Sequence, residues 1–170
     1  MFAVTADTFV NAAVTNTGAM YFQGAISNRL VNSGSFNLND DATLTGSPVN
    51  TGTFNVGNTL TVAPAWSNAG TIQLVGGTVS GGTLTNARTV SGYGTVMVLV
   101  NNARVLATNG TLNLMSAPEQ SGTLTVAGNG VLDVAEDWAN DGTLTVAGAV
   151  TGATLTNNGT DRKSTRLNSS

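Results

Sequence analysis

The groups best able to do chemistry in this chain are its carboxylates, and most of them fall into two clusters. Asp40 and Asp41 are adjacent, while Glu136, Asp137 and Asp141 surround Trp138. Hydrolysis of a glycosidic bond needs two carboxylates held at a fixed gap, one as acid and one as base or nucleophile. Residues 1–160 contain no histidine and no lysine to take a base role. Trp66 and Trp138 offer ring faces of the kind that stack on sugars. Arg88 and Arg104 offer guanidinium groups able to grip an anion such as a uronic acid. Each group also has a plainer reading: solvated acids in turns, indoles in a core, arginines on an exposed corner. The elements that position them decide between the two.

Composition narrows those elements. Of 170 residues only 9% are charged, and Gly (21), Thr (27) and Asn (20) dominate. Threonine favours strands, whereas glycine and asparagine favour turns, so the chain reads as all-β. The formal charge of −3 leaves no basic stripe for a nucleic acid. No apolar run approaches the ~20 residues of a membrane-spanning helix. The absence of cysteine excludes a disulfide framework and thiolate metal sites. The opening MFAVTAD has neither the basic start nor the apolar stretch of a signal peptide.

A repeat specifies the architecture. Its seed is Asn-x-Gly-Thr-apolar, seen as NSGSF at 32, NTGTF at 50, NAGTI at 68 and NDGTL at 140. The start position falls on Asn16, Asn32, Asn50, Asn68, Asn86, Asn102, Gln120, Asn140 and Asn157. Two residues on come seven glycines, interrupted by Arg88 and Arg104. Four on come Met20, Phe36, Phe54, Ile72, Val90, Leu106, Leu124 and Leu144; six on come mostly apolar residues, with Gly92 and Thr108 as exceptions. Two before each start stand Val14, Leu30, Pro48, Trp66, Leu84, Val100, Pro118, Trp138 and Leu155. A further strand lies between, at Leu60/Val62, Val96/Val98, Leu112/Leu114 and Leu132/Val134.

Apolar residues two apart bury one face of a strand. Three such strands in each repeat of 16–20 residues make one coil of a solenoid. The expected fold is a right-handed parallel β-helix of about nine coils over residues 1–160, the hand following the rule for parallel crossovers. Like then stacks on like at ~4.8 Å, with aliphatic columns forming a core and amides forming an asparagine ladder. Glycine two after each amide is expected to supply a left-handed turn. Arg88 and Arg104 then strain that column in adjacent coils, which makes 86–110 the expected least regular stretch.

This frame separates the carboxylate clusters by about five coils, ~24 Å, too far for joint action. Gly128 to Asp133, GNGVLD, resembles calcium-binding glycine–aspartate nonapeptides, which need tandem copies; it occurs once. Thr-Leu-Thr recurs at 43, 59, 83, 123, 143 and 154. Threonine pairs on a flat solenoid face suit ice binding, but counted from the local start only Thr123/Thr125 and Thr143/Thr145 share columns. No catalytic residue, cofactor or metal site is expected.

The end of the chain departs from the repeat. Position 161 should be apolar and is Asp161, and the next inward position is Lys163. The run DRKSTRLNSS at 161–170 resembles the translated start of a widely used sequencing adapter, and is expected to be a non-native, disordered tail. Phe2 and Val4 fit a coil whose amide would precede Met1, so the expectation is a slice of a longer solenoid, open at both ends and prone to end-to-end association.

Across residues 14–160, WSNAGTIQLVGGTVSGGTLTNARTVSGYGTV and VNNARVLATNGTLNLMSAPEQSGTLTVAGNGVLDV resemble repeat regions of bacterial autotransporter passengers and filamentous-haemagglutinin-type adhesins. The resemblance implies an exported or cell-surface stalk or adhesive shaft. Its implied partners are glycans or proteins of a host surface or matrix, with no nucleic acid and no membrane insertion of this segment. The alternatives are a non-catalytic slice of a polysaccharide-active or carbohydrate-binding β-helix and, more remotely, an ice-binding solenoid.

Overall fold

The computed structural model describes residues 2–3 and 8–163, which form 23 strands and no helix. The chain winds as a parallel β-solenoid. One side is a nine-stranded sheet of short strands ending on the ladder amides, from Val14–Asn16 through Trp66–Asn68 to Leu155–Asn157. The other two sides belong to a fourteen-stranded sheet. Ala19–Ile26, Ser35–Leu44, Thr71–Gly81, Thr89–Val96 and Arg104–Leu114 run unbroken round the corner between them. Coils are numbered here by their ladder residue, from coil 1 at Asn16 to coil 9 at Asn157; eight full turns separate the two.

The registers put like on like. Met20, Phe36, Phe54, Ile72, Val90, Val105, Leu124 and Leu144 form one buried column. Beside it stand Phe22, Leu38, Val56, Leu74, Gly92, Ala107 and Val126, and the second side adds Ala42, Leu60, Val79, Val96, Leu114 and Val134. Early coils fill the interior with aromatic rings, Phe22–Phe36 at 5.6 Å, Phe36–Phe54 at 5.3 Å and Phe54–Trp66 at 6.0 Å between centroids. Later coils use branched aliphatics. Every coil therefore buries its apolar side chains against its two neighbours, the condition for stability in a solenoid.

Coil 6 corrects the register read from the sequence. Its ladder residue is Asn101, paired with Asn86 below and Gln120 above, while Asn102 is exposed. Val105 and Ala107 face inward where Leu106 and Thr108 were expected, and Leu99 replaces Val100. With a side-chain period of two, a slip of one residue turns a whole strand inside out. The sequence VNNARVL allows both phases, and the burial of Leu99, Asn101, Val105 and Ala107 selects the shorter coil. Val98 is likewise outward, 38% exposed, with Val96 inward.

The glycine column has a different cause from the one expected. None of Gly18, Gly34, Gly52, Gly70, Gly122, Gly142 or Gly159 has a left-handed φ. A Cβ on Gly34 would instead lie 2.0 Å from Gly18 O, and one on Gly52 2.1 Å from Gly34 O. Close approach of successive backbones excludes a side chain. At these turns two N–H groups often converge on one carbonyl below: Ser33 and Gly34 both donate to Asn16 O, and Thr51 and Gly52 to Asn32 O.

Arg88 and Ala103 occupy the same column without a left-handed φ. At both, as at Gly70, the backbone N–H turns to its own coil's ladder oxygen, Asn86 Oδ1 or Asn101 Oδ1, each at 3.3 Å, and the preceding N–H reaches down. Arg104 lies one position further along, opposite Thr89 and Thr123, so it is not in the glycine column. The stretch 86–110 keeps continuous pairing. It contains the shortest coil, a bulge between Gly92 and Gly94, and Asn109 with φ 62°, but comparable bulges follow Phe22 and Val75.

At the far end Thr160–Lys163 still pairs in register with Thr143–Val146, and Asp161 occupies the apolar column opposite Leu144. Phe2 pairs with Met20 as the repeat requires. Val4 and residues 164–170 lie outside the described residues.

Candidate functional site

The chief polar assembly is internal. Asn16 Nδ2 donates to Asn32 Oδ1 (2.7 Å), Asn32 to Asn50 (2.8 Å), Asn50 to Asn68 (2.7 Å) and Asn68 to Asn86 (3.3 Å). Asn86 donates to Asn101 (2.9 Å), and Asn101 to Gln120 Oε1 (2.7 Å). The spare amide hydrogens also reach backbone carbonyls three residues along the next coil, as Asn50 does to Thr71 O (3.2 Å) and Asn86 to Arg104 O (2.9 Å). These buried amides are thus nearly saturated, which burial demands. The run stops at Gln120. Its longer side chain swings to Gly122 O (2.9 Å), leaving Asn140 Oδ1 buried without a partner among the described residues. Asn140 then resumes the ladder to Asn157 at 2.7 Å.

The outer carboxylates act as fasteners between coils. Asp41 Oδ1 accepts from Thr59 N (2.8 Å), Asp137 Oδ1 from Thr154 N (2.8 Å) and Glu136 Oε2 from Ala117 N (3.1 Å). Asp133 accepts from Thr151 Oγ1 (2.7 Å) and Asp141 from Asn158 Nδ2 (3.0 Å). Asp40 caps the neighbouring Asp41 N–H at 2.8 Å. Coil 2 carries Asp40 and Asp41 and coil 7 carries Glu136 and Asp137, so the structure does not bring the two clusters together. Among the described residues no three acids, histidines or cysteines group as metal ligands.

The four candidate ligand contacts divide. Trp66 and Trp138 are 5% and 4% exposed and sit in the inward column before the ladder amide, so their faces are not open to a sugar. Their Nε1 atoms find no acceptor among the described residues. Arg88 and Arg104 are exposed, on successive coils but one position apart, with Arg104 N donating to Arg88 O (3.0 Å).

Two features were not singled out from the sequence. One outward column runs Ser35, Thr53, Thr71, Thr89, Arg104, Thr123, Thr143 and Thr160, and Asn37, Asn55, Gln73, Ser91, Leu106, Thr125 and Thr145 stand beside it. Counting Thr-Leu-Thr triplets missed it. The signal was the Thr of the seed motif itself, three after each amide. Thr43 on Thr61 and Thr59 on Thr78 and Thr95 stack on the second side as well. Neighbours bond along these columns, Asn55 Nδ2 to Asn37 Oδ1 at 2.7 Å and Ser91 Oγ to Gln73 Oε1 at 2.9 Å. The other feature is a cleft of about 370 Å³ over coils 6 to 8, walled by Asn102, Pro118, Glu119, Ser121 and Asp141.

The arrangement holds a shape, with its polar groups spent on joining coil to coil. Comparison of the chain with protein-family models, with curated proteins and with solved structures finds no match.

Proposed function

We propose that this chain is a stiff structural and adhesive segment of an exported bacterial surface protein, a shaft that holds contact surfaces away from the cell. The observation that supports it most is the uninterrupted stacking of nine rungs around one apolar and amide interior. Such a body is stiff along its axis and lengthens by simple addition of coils. The exposed carboxylates of Asp41, Glu136, Asp137 and Asp141 engage in bonds between coils, a structural use. The partners on this reading are glycans or proteins of a host surface or extracellular matrix.

Binding of the purified chain to immobilised matrix glycoproteins and to a panel of host glycans tests the adhesive half of the reading. Saturable binding to a defined subset is the expected result, and no retention on any surface at micromolar chain leaves a bare spacer. Enzyme action is checked by incubation with pectin and alginate, where new reducing ends or unsaturated products would refute the structural assignment.

A second reading is favoured by one observation, the in-register threonine column with its amide neighbours. A flat face that is polar and nearly uncharged suits a neutral, hydroxyl-rich solid, either a carbohydrate lattice or ice. Arg104 and Leu106 interrupt it in coil 6. Thermal hysteresis and cellulose or chitin pull-down separate these cases.

A further inference from the structure

The coils are not all alike, and their differences recur. Asn16, Asn86 and Asn157 are 70 and 71 residues apart, four coils each. Four coils apart, Pro48 matches Pro118, Trp66 matches Trp138 and Leu44 matches Leu114. Two backbone features follow the same period. Gly24 and Gly94 both have positive φ (100° and 140°) and both follow a bulge at the same corner, and Gly81 and Gly152 share φ 95°. The match is partial on both faces: outward, Thr53 recurs as Thr123 and Thr71 as Thr143 while Tyr21 stands against Ser91; inward, Leu30 recurs as Leu99 while Phe36 stands against Val105 and Phe54 against Leu124. What recurs every four coils is the proline, the tryptophan and the corner geometry, not the filling of the core.

Each span of four coils contains one thinly bonded rung. In the column before the ladder amide, the backbone N–H normally donates up to the next coil, as Val14 does to Arg29 O, Trp66 to Thr83 O, Leu84 to Val98 O and Trp138 to Thr154 O. Pro48 and Pro118 have no N–H to give. Above each proline the ladder side is paired through a single residue, Asn50 with Asn68 and Gln120 with Asn140. A buried tryptophan with an unpartnered Nε1 caps each of these rungs.

The two rungs differ in repair. At the first, Ser47 Oγ donates to Ala65 O (3.3 Å), the carbonyl that the Pro48 N–H would have served, and Asn50 Nδ2 holds Asn68 at 2.7 Å. At the second, residue 117 is alanine, the ladder bond is missing, and Asn140 Oδ1 is orphaned. The cleft lies over that rung. On the ladder side its remaining links are the Asp141 N–H to Gln120 O at 2.9 Å and the exposed Glu136 carboxylate on Ala117 N, while Thr143–Val146 on Thr123–Val126 and Ala149–Gly152 on Val131–Val134 hold the other two sides.

We infer that the ladder side carries an opening joint above each of its two prolines, and that the joint between Gln120 and Asn140 opens first. Opening there frees Trp138–Asn140 from Glu119–Gln120 while the pairs of Thr143–Val146 and Ala149–Gly152 with the coil below stay made, a local opening of one side of the rod.

Native-state hydrogen exchange on the whole chain tests this, read on peptides spanning 66–74 and 138–146. Exchange at 138–146 is expected to be at least tenfold faster than at 66–74. Ordinary fraying from the nearer end gives the same sign, so a repaired variant is decisive. Ala117→Ser with Gln120→Asn restores the hydroxyl donor and the ladder amide at the second joint. It is expected to slow exchange at 138–146 several-fold and leave 66–74 unchanged. Unchanged exchange at 138–146 in the repaired variant, or equal exchange at the two joints in the unmodified chain, overturns the proposal. The two tryptophans give a second readout: with Trp66→Phe, the remaining Trp138 emission should shift in urea before far-UV circular dichroism is lost. If Trp138 emission and dichroism change together, the joint does not open separately.

Discussion

A side chain's value in this molecule depends on which way it points more than on what it is. Asn50 and Asn55 are five residues apart and both bond to asparagines on a neighbouring coil, yet Asn50 is 1% exposed and Asn55 is half-buried on the outer face. Asn50→Ala removes bonds to Asn32, Asn68 and Thr71 inside the rod and is expected to cost about 2 kcal/mol, since water does not replace the bonds lost by buried partners. Asn55→Ala should stay within about 0.5 kcal/mol. Urea denaturation of the two variants measures the contrast. Glycines divide in the same way. Gly142→Ala would place a Cβ 2.1 Å from Gly122 O and is expected to destabilise by about 1–3 kcal/mol. Gly128→Ala meets nothing nearer than 4.0 Å and should be neutral or stabilising by up to about 1 kcal/mol. The glycine column itself was plain in the sequence. Its cause was not, because steric exclusion by the coil below depends on how near two backbones come, a distance that no residue type encodes.

At the scale of a strand, the spacing of apolar residues was enough to place the sheets and most columns. It failed where two phases were equally apolar. In VNNARVL both Asn101 and Asn102 could start a coil, and both Val105 and Leu106 could point inward. The structure chooses Asn101 because its amide completes the run from Asn86 to Gln120, at 2.9 and 2.7 Å. Asn101→Ala should therefore lower the urea midpoint markedly and Asn102→Ala hardly at all; equal effects would restore the longer coil. The acids were legible as turn residues, but their use as fasteners was not, because their donors lie 17 to 19 residues away and belong to another coil. The aromatic half of the core makes a related prediction. Phe54→Ala empties a site between Phe36, Ile72 and Trp66 and is expected to cost about 3–5 kcal/mol, read as a fall in thermal midpoint.

At the scale of the whole rod, the like ladder strands at Asn50 and Gln120 allow a clean excision. Removing residues 51–120 joins Asn50 to Ser121, keeps a proline below a tryptophan, and puts asparagine where Gln120 stood. The shortened chain is expected to keep its β dichroism and to lose about 19 Å of length by small-angle scattering, at ~4.8 Å per coil. Collapse to an unfolded chain would mean that the two strands are not interchangeable. One property of the interior reaches beyond length. From Asn16 to Asn101 each inner amide points its nitrogen to the following coil, into the oxygen of the next amide, whereas the outer pairs Asn55–Asn37 and Asn129–Asn109 donate backwards. The inside therefore has a grain. Aligned amides polarise one another along such a file, so a finished rung offers its successor a primed hydrogen rather than a neutral seat, and winding has a preferred sense of growth written into the amides themselves. The glutamine at 120 is where that relay drops its baton.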